Sequence, residues 1–256
     1  MGTVLAVVSQ KGGVGKTTTA INLASALARR GRKTLLVDVD PQGAVRHGIG
    51  LADSDIGQAG LADVLAGSCD MQEVVLPTPL PWLRVLLAGS VSDAGEHESY
   101  TELLSGSERL AELFDRARAR GYLVVVDTPP GLGSITRRVL SCTDHVMVPL
   151  QCEPLALQTT TQILRAVREA SRTNAALVLD GILLTMLDQA SEVSQRVASY
   201  VREQLPAELV FEVAIPRTMA TADAFAAGQP VVLRSPEDEA SVAYRQLAET
   251  LDGRLR

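Results

Sequence analysis

Cysteines, aromatics and long apolar runs are all scarce in this chain, and each scarcity removes a class of protein. Three cysteines in 256 residues (Cys69, Cys142 and Cys152) show no metal-type spacing and are too few for a disulfide framework, so a reducing cytoplasm is expected. Aromatics make up 3% of the residues, which argues against base-stacking platforms of the single-strand-binding kind. Positive charge is not in excess: the net charge of −6 argues against a protein that coats itself in nucleic acid by bulk charge, though not against a local basic patch in a dimer. Hydrophobic residues reach 46% and the mean hydropathy is +0.14, yet no apolar run approaches the roughly 20 residues that span a bilayer. Residues 1–8 lack the basic region of a secretion signal. Internal repeats, low-complexity segments and Pro/Gly/Ser linkers are missing too, so residues 1–256 read as one domain large enough to bury a sizeable core.

What is present is alternation. Strand-like runs are expected near 34–38, 83–87, 123–127, 145–149, 178–185 and 209–214, with a further one at the very start. Helical stretches are expected near 100–120, 134–142, 155–172 and 191–205. Such a pattern predicts an α/β fold: a mainly parallel twisted sheet of about seven or eight strands with helices on both faces. Residues 41–81 are the least regular part, rich in small residues and prolines, and read as an elaborated surface excursion.

The most informative stretch is Gln10-Lys11-Gly12-Gly13-Val14-Gly15-Lys16-Thr17-Thr18. It follows the apolar run Val4–Val8 and precedes a segment with Ala20, Leu23, Ala24 and Leu27 at helical spacing, closed by Gly31. Strand, glycine-rich loop, Gly-Lys-Thr and helix together form a phosphate-binding loop, in which unobstructed backbone N–H groups surround a polyphosphate. Lys16 can reach the β- and γ-phosphates, and the Thr17 hydroxyl can ligate Mg²⁺. Lys11 is an additional lysine that an ordinary phosphate loop does not need.

Two further strands end in acids. Leu35-Leu36-Val37-Asp38-Val39-Asp40 delivers Asp38 and Asp40 to the carboxyl edge of a parallel sheet, where ligands bind. One of these acids can order the water shell of Mg²⁺ and the other can orient a water for attack on the γ-phosphate. Leu123-Val124-Val125-Val126-Asp127 has the form of a strand whose terminal Asp supports Mg²⁺, and Pro129-Pro130-Gly131 follows where a γ-phosphate-sensing switch would lie.

The Lys11–Thr18 block resembles the deviant Walker A motif of the ParA/MinD family of dimeric ATPases. Val37-Asp38-Val39-Asp40-Pro41-Gln42-Gly43, Val148-Pro149-Leu150-Gln151-Cys152-Glu153, Leu183-Leu184-Thr185-Met186-Leu187-Asp188 and Ile215-Pro216-Arg217 are similar to blocks of short, Soj-type ParA partition proteins. The likeness runs from about residue 2 to residue 250. It implies a single-domain P-loop NTPase that binds ATP and Mg²⁺ and forms a homodimer with ATP sandwiched at the interface. By resemblance, Lys11 crosses that interface to the partner's nucleotide, and Gly12 lies where the subunits approach most closely. Gly13, Val14, Gly15, Lys16, Thr17 and Thr18 hold the phosphates, with Thr18 at the α-phosphate. Asp40 positions the attacking water, Asp38 and Asp127 support Mg²⁺, and Met186 and Pro216 lie near the adenine and sugar.

The same likeness implies non-specific DNA binding by the ATP dimer and hydrolysis stimulated by a ParB-like or adaptor protein. The cargo would be a chromosome, a plasmid or another intracellular body. Here the match falters. An Arg expected soon after the Met186 block is absent, since Gln189-Ala190-Ser191 stand there, and Thr218-Met219-Ala220 replace a second one. Arg196, Arg202, Arg217 and Arg245 remain as candidate phosphate contacts, and fewer contacts mean weaker, salt-sensitive binding. A MinD-like membrane regulator would need a basic amphipathic C-terminal helix. Residues 240–255 instead place Tyr244, Leu247, Leu251 and Leu255 on one face and mix acids with arginines on the other, the pattern of a helix docked on the core. No N-terminal extension that could hold a helix-turn-helix is expected. A reductase subunit bridging an iron–sulfur cluster would need two well-placed cysteines per chain, and Cys142 and Cys152 lack a glycine-rich setting.

Overall fold

A computed structural model describes residues 2–51, 59–89, 94–154 and 156–255. The elements run β1 (Thr3–Val7), α1 (Lys16–Arg29), β2 (Thr34–Asp38), α2 (Val45–Gly48), α3 (Leu61–Ala66), α4 (Met71–Val74), β3 (Leu76–Pro77) and β4 (Leu83–Leu86). They continue with α5 (Ala94–Gly106), α6 (Arg109–Ala119), β5 (Leu123–Asp127), α7 (Ser134–Leu140), β6 (His145–Gln151), α8 (Ala156–Ala170) and β7 (Val178–Thr185). The chain closes with α9 (Glu192–Gln204), a 3₁₀ turn at Ala207–Leu209, α10 (Met219–Ala226), α11 (Val231–Arg234) and α12 (Glu239–Arg254).

The sheet has seven strands in the order β3-β4-β2-β5-β1-β6-β7. All neighbours are parallel except the short edge pair β3 and β4. Period-two alternation divides β1 between two cores. Val4, Ala6 and Val8 pack with residues of α5 to α9, whereas Leu5 and Val7 pack with α1, α11 and α12. The sheet is therefore covered on both faces, as the valine-rich strands require. Pro149 sits inside β6 without breaking it. Met147 faces β1, accepting the Val8 N–H, and two residues later β1 has already turned into the loop, so no ladder partner needs the N–H that proline lacks.

Three sequence expectations change. The run 209–214 is not a strand: Phe211 N–H donates to Ile182 O and Ile215 N–H to Leu184 O, so four residues span what β7 covers in two and the run bulges between isolated bridges. The helix expected over 100–120 is two helices, parted at Ser107-Glu108 after Gly106, where the Ser107 hydroxyl accepts the Arg109 N–H. Within the irregular 41–81 stretch, Leu61, Leu65, Met71 and Val74 are buried in the core, so its described part is more than a surface excursion. Leu155, the expected first residue of α8, lies outside the described residues.

α12 docks as its pattern suggests, with Tyr244, Leu247 and Leu251 buried. Its apolar face is therefore spent on the core rather than presented to a bilayer. Among the described residues no helix is long and apolar enough to cross a membrane.

Candidate functional site

The loop between β1 and α1 lies at the carboxyl edge of the sheet, between β5 and β6. Gly13 and Gly15 have φ of +77° and +84°, a left-handed backbone that a side chain would strain, and Gly15 caps α1. The first turn of α1 carries no acid, which leaves its positive end open to an anion. Thr185 from β7 fastens the loop from outside, its hydroxyl donating to Val14 O at 2.9 Å.

Strand register gathers the acids. Val7 pairs with Asp127 across β1 and β5, and Asp127 pairs with Asp38 across β5 and β2, so both carboxylates arrive at one level beside the loop. Asp38 is fully buried and takes N–H groups of Asp40 (3.0 Å) and Val45 (3.2 Å). Asp40 is nearly buried, and one of its oxygens takes the Gln42 N–H at 2.9 Å. The Thr17 hydroxyl donates to Asp127 Oδ2 at 2.7 Å, while Asp127 Oδ1 is buried with no hydrogen-bond partner.

Electrostatics follow from this crowding. Burial pushes Asp127 up to about 7, with the Thr17 hydrogen bond and the Lys16 charge opposing. Asp38 is raised well above the ordinary carboxylate range, first by burial and then by the Asp127 charge. Lys16, only 6% exposed, is lowered by burial, with Asp127 and Asp40 opposing. Three carboxylates and one buried ammonium leave room for a further cation, and the orphaned Asp127 Oδ1 next to the Thr17 hydroxyl is where a hydrated Mg²⁺ would fit. Among the described residues no group of three His, Cys, Asp or Glu could hold a metal by itself. That agrees with an ion bound mainly through substrate oxygens and water, the usual habit of Mg²⁺.

Lys11 behaves differently. Its ammonium leaves its own loop and pairs with Glu153 Oε1 at 3.2 Å, with more than half the side chain in solvent. Beside it, a Cβ added to Gly12 would meet nothing closer than Pro130 Cβ at 3.8 Å. Nothing among the described residues requires glycine there. Pro130 belongs to the 129–131 turn, which is tied to the loop by Gly131 N–H donating to Ser9 O at 3.0 Å.

Next to Thr18 a cavity of about 400 Å³ opens, lined by Met186, Ile215, Pro216, Thr221 and Phe225 among others. Met186 is the one non-glycine residue at positive φ (52°) among the described residues, and backbone strain of this kind collects at functional sites. Met186 and Pro216 were legible as candidates only through the resemblance. Thr218, Thr221 and Phe225 carry no motif and were missed. Arg217, expected among phosphate contacts, stands at this cavity. The other arginines are dispersed: Arg196 pairs with Glu192 within α9, Arg202 reaches Glu212 O at 3.4 Å, and Arg245 on α12 donates to Pro236 O. The cysteines do not suit a cluster: burial pushes Cys142 up to about 12 and Cys152 up to about 11, against the thiolate such ligation needs.

A family model described as an AAA domain matches residues 2–179. The chain is 38% identical over 256 residues to the chromosome partitioning protein ParA of Caulobacter vibrioides, covering 99% of this chain and 95% of that one. It is 34% identical to the sporulation initiation inhibitor protein Soj of Bacillus subtilis, over 97% and 98% of the two chains.

The chain belongs to the ParA/Soj family of ATPases.

A solved member of the wider fold, the cobyrinic acid a,c-diamide synthase of Mycobacterium smegmatis with bound ATP analog and magnesium, superposes with a TM-score of 0.81 at 31% identity. It covers 98% of this chain and 94% of its own length.

Proposed function

We propose that the chain, acting as one domain over residues 1–256, is an ATP-dependent dimerisation switch that positions DNA or another intracellular cargo and resets itself by hydrolysing ATP. The observation that carries this reading is the contrast between two lysines: Lys16 is buried among the acids, and Lys11 is held outward on Glu153 beside an unobstructed Gly12. A lysine turned away from its own loop is in place to be donated in trans, where it supplies charge only when two subunits meet.

In this reading Gly13, Val14, Gly15, Lys16 and Thr18 cradle the phosphates of ATP. Thr17, Asp38 and Asp127 hold Mg²⁺, whose contribution when bound is neutralisation of phosphate charge. Asp40, anchored through one oxygen by Gln42, uses the other to orient a water. The water oxygen bonds to the γ-phosphorus and the bond from that phosphorus to the bridging oxygen breaks, giving ADP and phosphate. Lys16 and the partner's Lys11 offset the charge on the oxygens. Met186 and Pro216 flank the adenine and sugar. ATP favours the dimer, and its loss releases it.

The DNA role is supported by relatives named for chromosome partitioning. The partner that stimulates hydrolysis would be ParB-like or an adaptor, and the setting the cytoplasm, over the nucleoid in the ATP state. Sedimentation with ATP and with ADP tests the switch: a dimer with ATP alone is expected, and a nucleotide-independent state would sink it. Retention on non-specific DNA over a salt series tests the cargo role. Weak ATP-dependent retention, lost at moderate salt, is expected from the reduced arginine complement. No retention even at low salt removes DNA as the cargo, and ATP-dependent pelleting with anionic vesicles would replace it with a membrane.

A further inference from the structure

The cavity beside Thr18 and the Asp38–Asp40 segment are joined by one short structural path. α10 forms a wall of the cavity through Thr221 and Phe225. The Phe225 ring also rests on α2, so closely that a Cβ at Gly48 would stand 2.8 Å from Phe225 Cε2, with Ile21 Cδ1 of α1 at 2.5 Å on the same glycine. A second contact locks the ends of the same two helices. Gly50 and Gly228, both at positive φ, meet backbone to backbone, and a Cβ on Gly228 would lie 2.5 Å from Gly50 Cα. At its other end α2 begins at Val45, whose N–H donates to Asp38 Oδ2 at 3.2 Å, while Asp38 Oδ1 accepts the Asp40 N–H at 3.0 Å. One helical turn thus connects the cavity wall to both acids.

The path has a loose end and a tight end. α10 is the loose one: of its residues only Ala224 is fully buried, and Met219 at its start is 77% exposed. α2 is seated by the buried Val45 and by Gly48. A weakly anchored helix pressed against a well-seated one is an element whose position a ligand can bias.

We propose that α10 and α2 form a relay in which occupancy of the cavity by the nucleoside holds Phe225 on Gly48 and so sets the position of the Asp38–Asp40 segment, making Phe225 and Gly48 positioning residues. The inference rests on the assignment of this cavity to the nucleoside. It gives a reason for the glycines at 50 and 228, where a side chain would meet the facing backbone, and for the small residue at 48, where one would press on Ile21 and the Phe225 ring.

Hydrogen exchange with saturating ADP and Mg²⁺ tests it on the intact chain. In the unsubstituted protein, exchange is expected to slow at least fivefold both in residues 12–18 and in residues 43–50. In Phe225→Leu, and separately in Phe225→Ala, protection of 12–18 should persist while that of 43–50 falls below twofold. ATP turnover at saturating ATP, where the loss of a cavity wall is not limiting, should show kcat of Phe225→Ala reduced about tenfold, and Phe225→Tyr should restore it. Protection of 12–18 without 43–50 in the unsubstituted chain overturns the relay but leaves nucleotide binding intact. Undiminished protection of 43–50 in both substituted chains also overturns it. Protection of neither segment overturns the nucleotide assignment itself.

Discussion

The phosphate-loop end of the site and the cavity proposed for the nucleoside are built on opposite principles. At the phosphate end Asp38 and Asp127 have no exposed surface, Lys16 has almost none, and each sits on a strand end or the first turn of a long helix. At the nucleoside end the walls are a strained Met186, an exposed Arg217 and the shallow helix α10. Sheet register holds the first group, since pairing of neighbouring strands allows no slippage without moving every side chain to the wrong face. Loops hold the second. In the proposed mechanism the groups that meet developing charge are preorganised, whereas those proposed to grip a base can yield.

The largest expected effect is at Lys16. Lys16→Ala should weaken ATP binding by about 100-fold or more, ~3 kcal/mol, since a buried charge-assisted contact is lost and three acids are left uncompensated. Calorimetric titration measures it, and affinity within threefold of the original would erase the distinction between the two ends. Lys11→Ala comes next: ATP affinity should change less than threefold, while ATP-driven dimerisation and turnover fall by about 100-fold, as for a charge donated in trans. Sedimentation and phosphate release read the two quantities separately, and an equal fall in affinity would make Lys11 an ordinary loop residue.

Asp127→Asn should raise the Mg²⁺ concentration for half-maximal turnover by about tenfold, in the range found for groups that orient a metal's surroundings. A metal titration that superposes on the original would remove Asp127 from the metal's surroundings. The smallest effect is at Glu153. Glu153→Gln frees Lys11 from an exposed ion pair of the kind worth little, so dimerisation with ATP should tighten only about two- to threefold. Weaker dimerisation would instead give Glu153 a place inside the interface.

Much of the phosphate end could be read from the chain alone. Gly13, Gly15, Lys16 and Thr17 lie within one short segment, and the acids close apolar strands, so local pattern and chemistry coincide there. The cavity proposed for the nucleoside was legible only at Met186 and Pro216, through their neighbours in family-like blocks. Thr221 and Phe225 belong to an alanine-rich segment with no periodic signal, and reach the site because α10 folds back over the loop. The false strand at 209–214 has the same origin. Its apolar residues satisfy a strand pattern, but Pro206 and Pro216 bracket it and only one of its amides, that of Phe211, donates to β7.

By itself the sequence determined that this chain folds as a parallel α/β sheet around a phosphate-binding loop with a second lysine, because glycine conformation, valine-rich strands and terminal acids act over a few residues. Only the tertiary structure decided that Asp38 and Asp127 share one level, that Lys11 turns outward to Glu153, and that Phe225 leans on Gly48. Those facts depend on register between strands distant in sequence and on side-chain volumes meeting across separate elements, which no local pattern encodes.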